Sequence, residues 1–124
     1  MKDQKILLIE DDPFLIDIYT TKLKAVGFFI EVVNDGEDGV VKAEEFQPSV
    51  ILLDIVLPHV DGWDILSQLK IKEETKDIPV IILSNLGQKE EVDKGINFGA
   101  VKYLIKAHYT PSEVVEEVKK TLKI

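Results

Sequence analysis

The chain has 124 residues, 45% of them apolar, which suits one compact domain whose core needs no covalent staple. It contains no cysteine, so disulfides, thiolate metal sites and a cysteine nucleophile are excluded. With 15 basic and 23 acidic residues the net charge is -8, which disfavours direct binding to nucleic acid or anionic lipid and suits a cation or a basic protein surface.

KILLIE (5–10) is a short apolar run ended by acids and predicts a buried first strand. Asp12-Pro13 then supplies a helix cap and a residue suited to the first helical position. Leu15, Ile18, Tyr19, Leu23 and Val26 recur at three- and four-residue steps, and Gly27 stops the helix. FFIEVVN (28–34) predicts a second strand, interrupted by Glu31 and therefore read as an edge. Asn34-Asp35-Gly36 opens a second helix that buries Val40, Ala43 and Phe46.

SVILLD (49–54) is the third strand, with Asp54 at its exit. The loop that follows contains Pro58 and ends at Asp61-Gly62, where Asp61 caps a helix burying Ile65, Leu66 and Leu69, with Trp63 in its first turn as a core or rim residue. VIILS (80–84) is the fourth strand and leads to a helix with Val92, Gly95 and Ile96 inward, ended by Gly99. KYLIK (102–106) is the fifth, followed by the capping pattern TPSE (110–113) and a helix burying Val114, Val115, Val118 and Leu122.

Five strands alternating with five helices specify a three-layer α/β domain, because each parallel crossover needs a helix and right-handed connections place helices on both faces. The first, third and fourth strands are the most continuously apolar, which centres them and predicts the flavodoxin-like, doubly wound order 2-1-3-4-5. No apolar run approaches the roughly 18 to 20 residues of a membrane span, and MKDQK lacks the apolar region of a secretory signal, so a soluble cytoplasmic protein without membrane contact is expected.

Glu10, Asp11, Asp54, Ser84 and Lys106 fall at or just past the C-terminal ends of these strands. Ligands bind at that edge, near the reversal of strand order between the first and third strands. Two carboxylates about 4 Å apart repel by about 4 kcal/mol at a surface-like dielectric, so three of them require positive charge. Lys106 supplies one cation. Mg2+ or Mn2+ can supply the rest, since a site of oxygen donors without histidine or cysteine suits a hard metal. A carboxylate beside such a cation can attack a phosphoryl group and carry it as an aspartyl phosphate, with the metal and Lys106 holding the phosphoryl oxygens. His59 and His108 have no partner at ligand spacing and read as solvated loop residues; Asp12 and Asp61 read as caps. The glycine-rich phosphate loops G-x-x-x-x-G-K-S/T and G-x-G-x-x-G are absent.

The acid pair in LLIEDD, Asp54 in LLDIVLPHVDG, Ser84 in VIILSN and Lys106 in KYLIK, in that order at successive strand ends, resemble the response-regulator receiver domains of two-component signalling. The likeness spans essentially all of residues 1–124 as one domain and is similar to the single-domain chemotaxis regulators. It implies phosphorylation of Asp54 by a histidine kinase or phosphotransfer partner, with Mg2+ held by Glu10, Asp11, Asp54 and the backbone carbonyl of Val56. It also implies that Ser84 and Tyr103 turn inward on phosphorylation and alter the face of the fourth helix, fifth strand and fifth helix, where a downstream protein binds. Such a domain catalyses its own phosphorylation without a turnover substrate.

One departure stands out. The family usually places a cis proline after the lysine, whereas Lys106 is followed by Ala107, and the loop AHYT (107–110) is one residue longer. A cis bond before alanine would cost about 3 kcal/mol, so a trans bond and a rearranged loop are expected. Two other readings are a pseudo-receiver that binds partners without phosphorylation, which would lack one of the acids or the lysine, and a flavodoxin-like cofactor carrier, which would need a hydroxyl- and glycine-rich phosphate loop.

Overall fold

The computed structural model describes residues 4–124. These form β1 (Lys5–Ile9), α1 (Pro13–Ala25), β2 (Phe29–Val33), α2 (Gly36–Phe46), β3 (Val50–Leu53), α3 (Gly62–Ile71), β4 (Val80–Ser84), α4 (Lys89–Asn97), β5 (Lys102–Ile105) and α5 (Pro111–Leu122), with a 3-10 turn over Lys106–His108 between the last two. The strands make one parallel sheet in the order β2-β1-β3-β4-β5, as the apolar runs predict.

Side chains alternate across the central strands with the strand period of two. Leu7, Ile9, Ile51, Leu53, Val80 and Ile82 face α2 and α3, packing with Val40, Ala43, Ile65, Leu66 and Leu69. Ile6, Leu8, Val50, Leu52, Ile81 and Leu83 face α1 and α5, packing with Tyr19, Leu23, Val114 and Val118. The sheet is therefore buried on both faces, which is why the central strands are apolar except at Lys5, where β1 begins, and Ser84, where β4 ends.

Helix starts follow the side-chain chemistry of the sequence. Asp12 accepts from the amides of Phe14 and Leu15, Asp35 from that of Glu37, and Asp61 from that of Trp63. Thr110 and Glu113 form a reciprocal capping box at α5. Two inward assignments fail. Val26 lies past the last turn of α1 as its C-cap and is exposed, and Ile96 is exposed because α4 buries only Gly95. Among the described residues no helix is long and apolar enough to cross a membrane.

Candidate functional site

Strand register builds the site. Ile9 pairs with Leu53, so Glu10 and Asp54 leave the sheet side by side, and the Asp54 amide donates to the Ile9 carbonyl at 3.0 Å. Both acids are buried, while Asp11 is exposed at the mouth. One carboxylate oxygen from each of Glu10, Asp11 and Asp54 lies within 4.8 Å of the others.

Each buried acid is held in place. Glu10 Oε2 accepts from the amides of Asp11 and Asp12, both at 3.2 Å. Asp54 Oδ1 accepts from the Val56 amide at 3.0 Å, and Oδ2 accepts from Lys106 Nζ at 2.8 Å. The same ammonium lies 2.8 Å from Glu10 Oε1, so Lys106 bridges the two buried acids. Burial, together with the nearby charge of Asp54, raises the Glu10 carboxyl above its ordinary range despite Lys106. Burial pulls Lys106 down, but its contacts with Asp54 and Glu10 outweigh that and leave it raised, hence charged.

Lys106 reaches the acids without a following proline. Among the described residues all peptide bonds are trans, and Lys106, Ala107 and His108 make a 3-10 turn that delivers the chain to the Thr110 cap. The rearranged loop expected from Ala107 is this turn. His59 and His108 are exposed, as their isolation in the sequence predicts.

The loop between β3 and α3 is folded back tightly. Val56 bridges to Asp61, and the Gly62 amide donates to the Ile55 carbonyl at 3.2 Å. A Cβ on Gly62 would fall 2.5 Å from Ile55 Cα and closer still to its carbonyl oxygen, so only glycine permits this approach. The fold-back fixes the Val56 amide against Asp54.

These groups line a cleft of about 350 Å³ that also includes Asp12, Leu15, Asn85 and Leu86. Leu15 and Leu86 are wall residues whose spacing in the sequence does not separate them from core positions. Ser84 is fully buried beneath the wall, where its Oγ accepts from the Leu86 amide at 3.3 Å. Tyr103 already lies inward: its hydroxyl donates to the Leu86 carbonyl at 2.5 Å, and its ring fills space that a side chain on Gly95 would need. A groove of about 380 Å³ beside β2 is lined by Ile16, Val32 and Val41 with Asp38, Lys42 and Glu45, but the clustered carboxylates and their ammonium are in the smaller cleft.

Three clustered carboxylates, two of them buried, with no nitrogen or sulfur ligand among them, fit a hard divalent cation. The family model described as the response regulator receiver domain matches residues 6–119. The chain belongs to the response-regulator receiver family. This receiver is 36% identical over 119 residues to the DNA-binding dual master transcriptional regulator RpaA of Synechocystis sp., a match covering 96% of this chain and 49% of RpaA. The receiver thus spans about half the length of the curated relatives it matches. A response regulator structure from Chloroflexus aurantiacus superposes with a TM-score of 0.90 at 25% identity, covering 99% of this receiver and 100% of that chain. The receiver domain of the sensor histidine kinase PA1611 from Pseudomonas aeruginosa, at 25% identity, a TM-score of 0.88 and coverage of 99% and 100%, has magnesium coordinated in its active-site cleft. Receivers are signalling domains of two-component systems, and the cleft described above is where this one concentrates its charge.

Proposed function

We propose that this receiver, a single unit over residues 1–124, is a phosphorylation-driven signalling switch whose phosphoacceptor is Asp54. The observation that carries this reading is the pinning of both Asp54 oxygens, one by the Val56 amide and one by Lys106 Nζ, at the mouth of an acid-lined cleft. Glu10, Asp11, Asp54 and the Val56 backbone carbonyl would hold Mg2+ or Mn2+. Bound there, the cation supplies charge neutralisation for the acids and the phosphoryl oxygens.

The chain's own residues do the rest. A carboxylate oxygen of Asp54 forms a bond to phosphorus as the N–P bond of a phosphohistidine breaks, and the departing imidazole takes up a proton. Lys106 moves its ammonium from the Asp54 carboxylate to a phosphoryl oxygen without leaving the cleft. The Ser84 hydroxyl donates to another phosphoryl oxygen, which draws the loop at Leu86 with it, and Tyr103 follows through its bond to the Leu86 carbonyl. The outcome is an altered face over α4, β5 and α5.

The donor is a sensor histidine kinase or phosphotransfer protein, and the reader is a downstream protein at that face. The domain has no direct nucleic-acid or membrane role, acts in the cytoplasm, and catalyses its own phosphorylation and dephosphorylation without a turnover substrate. Its net charge of -8 supports a protein reader over nucleic acid. The reading is tested by titrating beryllofluoride, a phosphoryl mimic, with Mg2+ and following amide NMR shifts. Changes centred on Asp54, Ser84 and Tyr103 are expected; a spectrum that does not move overturns the proposal.

A further inference from the structure

α4 is the least anchored helix among the described residues. At nine residues it is the shortest, Gln88 at its N-cap makes no side-chain hydrogen bond, and Gly95 is its single buried residue. Helices held by so little are the ones that move most readily.

Two attachments hold it. The first lies on the cleft side, where Ser84 Oγ accepts from the Leu86 amide, the Leu86 carbonyl accepts from the Tyr103 hydroxyl, and the Tyr103 ring and Ile82 fill the space beside Gly95. The second lies toward the C-terminal end of α4. Lys94 Nζ is 4.5 Å from the ring centroid of Trp63 and 5.7 Å from that of Phe98, and the two rings meet edge to face at 5.7 Å and 65°. Trp63 belongs to the first turn of α3 and is buried, whereas Phe98 caps α4. Among the described residues Lys94 makes no salt bridge, so the rings are its partners. A cation over an aromatic face is attracted by the ring quadrupole, more strongly when the ring is shielded from water.

We infer that Lys94 is a positioning residue: its cation over Trp63, beside the Phe98 ring of its own helix, holds α4 against α3 and opposes the switch at Asp54. Any movement of the loop from Ser84 to Gln88 that carries α4 along must break this contact. Removing it shifts the balance toward the displaced state, and a ligand that selects that state then binds at lower concentration. The coupling to Asp54 rests on the proposed phosphorylation; the clamp itself does not.

The test compares wild type, Lys94→Met, which keeps the stem without the charge, and Lys94→Arg, which keeps a cation. In the absence of phosphoryl mimic, amide exchange over Val92 to Phe98 is expected to quicken about two- to fivefold in Lys94→Met, the factor a cation–π contact on a surface helix supports. β1 and β3 amides should not change, Lys94→Arg should restore the wild-type rate, and the emission of Trp63, the only tryptophan, should report loss of the ammonium. With beryllofluoride and Mg2+, half-saturation should fall by a similar factor in Lys94→Met and return in Lys94→Arg. Unchanged α4 exchange in Lys94→Met overturns the clamp, and faster exchange with unchanged half-saturation overturns its coupling to the site. If wild type itself fails to respond to beryllofluoride, the phosphorylation reading falls and the coupling with it, while the exchange rates still decide the clamp.

Discussion

Lys106 donates a 2.8 Å hydrogen bond to Asp54 from the first residue of a 3-10 turn, so the reach of the lysine does not depend on a proline behind it. The same ammonium contacts Glu10, which makes Lys106 the single cation between two buried acids among the described residues. Lys106→Met should therefore leave uncompensated negative charge in the cleft and destabilise the domain by about 3 kcal/mol, the lower end for a broken buried pair. Urea unfolding at neutral pH without divalent metal checks this. The deficit should shrink when Mg2+ is added, because a cleft stripped of its ammonium binds the cation more tightly than wild type does and so gains more stability from it.

Gly62 offers a separate route to the same carboxylate. Because a Cβ would collide with the Ile55 backbone rather than with a flexible side chain, Gly62→Ala should displace the loop that holds the Val56 amide on Asp54. A loss of about 2 to 3 kcal/mol is expected, as for other overpacked sites, together with slower phosphoryl uptake. Thermal unfolding and uptake from a small phosphodonor measure the two effects, and an unaltered Tm would contradict the close approach.

Much of this was legible in the chain because the responsible residues act locally or through an unbroken apolar run. β1, β3 and β4 announce themselves as central strands through their unbroken buried apolar runs, and the caps at Asp12, Asp61 and Thr110 bond within their own first turns. The acid cluster follows from topology, once Glu10 and Asp54 are known to end neighbouring strands. What escaped depends on contacts between distant segments. Thr75 lies in a polar stretch with no periodicity, yet it is fully buried, its hydroxyl donating to the Leu69 carbonyl at 2.7 Å. The Lys94 clamp joins α4 to a tryptophan on α3, and no spacing rule connects them. Ile96 was misplaced because helical periodicity assumes a helix lying flat on the sheet, and α4 touches it chiefly at Gly95.

The pH dependence of the α5 edge follows from Glu117. Its hydrogen bond with Lys102, at 3.0 Å, and the nearby Lys120 hold its carboxyl below the ordinary value of 4.5 against a smaller opposing effect of burial. A depressed folded value stabilises the protein above the unfolded value and is lost as pH falls through the folded one. Glu117→Gln should therefore be less stable than wild type at pH 7 by no more than about 1 kcal/mol, the range of partly exposed ion pairs. The difference should close as the pH is lowered below 4.5, which urea midpoints taken in steps will show. A gap that persists unchanged at low pH would assign the effect to packing instead of charge.

Asp54 is proposed to receive the phosphoryl group in a metal-dependent reaction. Intact-mass measurement after incubation with acetyl phosphate and Mg2+ addresses it directly, alongside Asp54→Asn and a sample containing EDTA. Wild type should gain one phosphoryl group, and both the substitution and the chelator should abolish that gain. Absence of any gain in wild type, or an undiminished gain in Asp54→Asn, would rule Asp54 out as the phosphoacceptor.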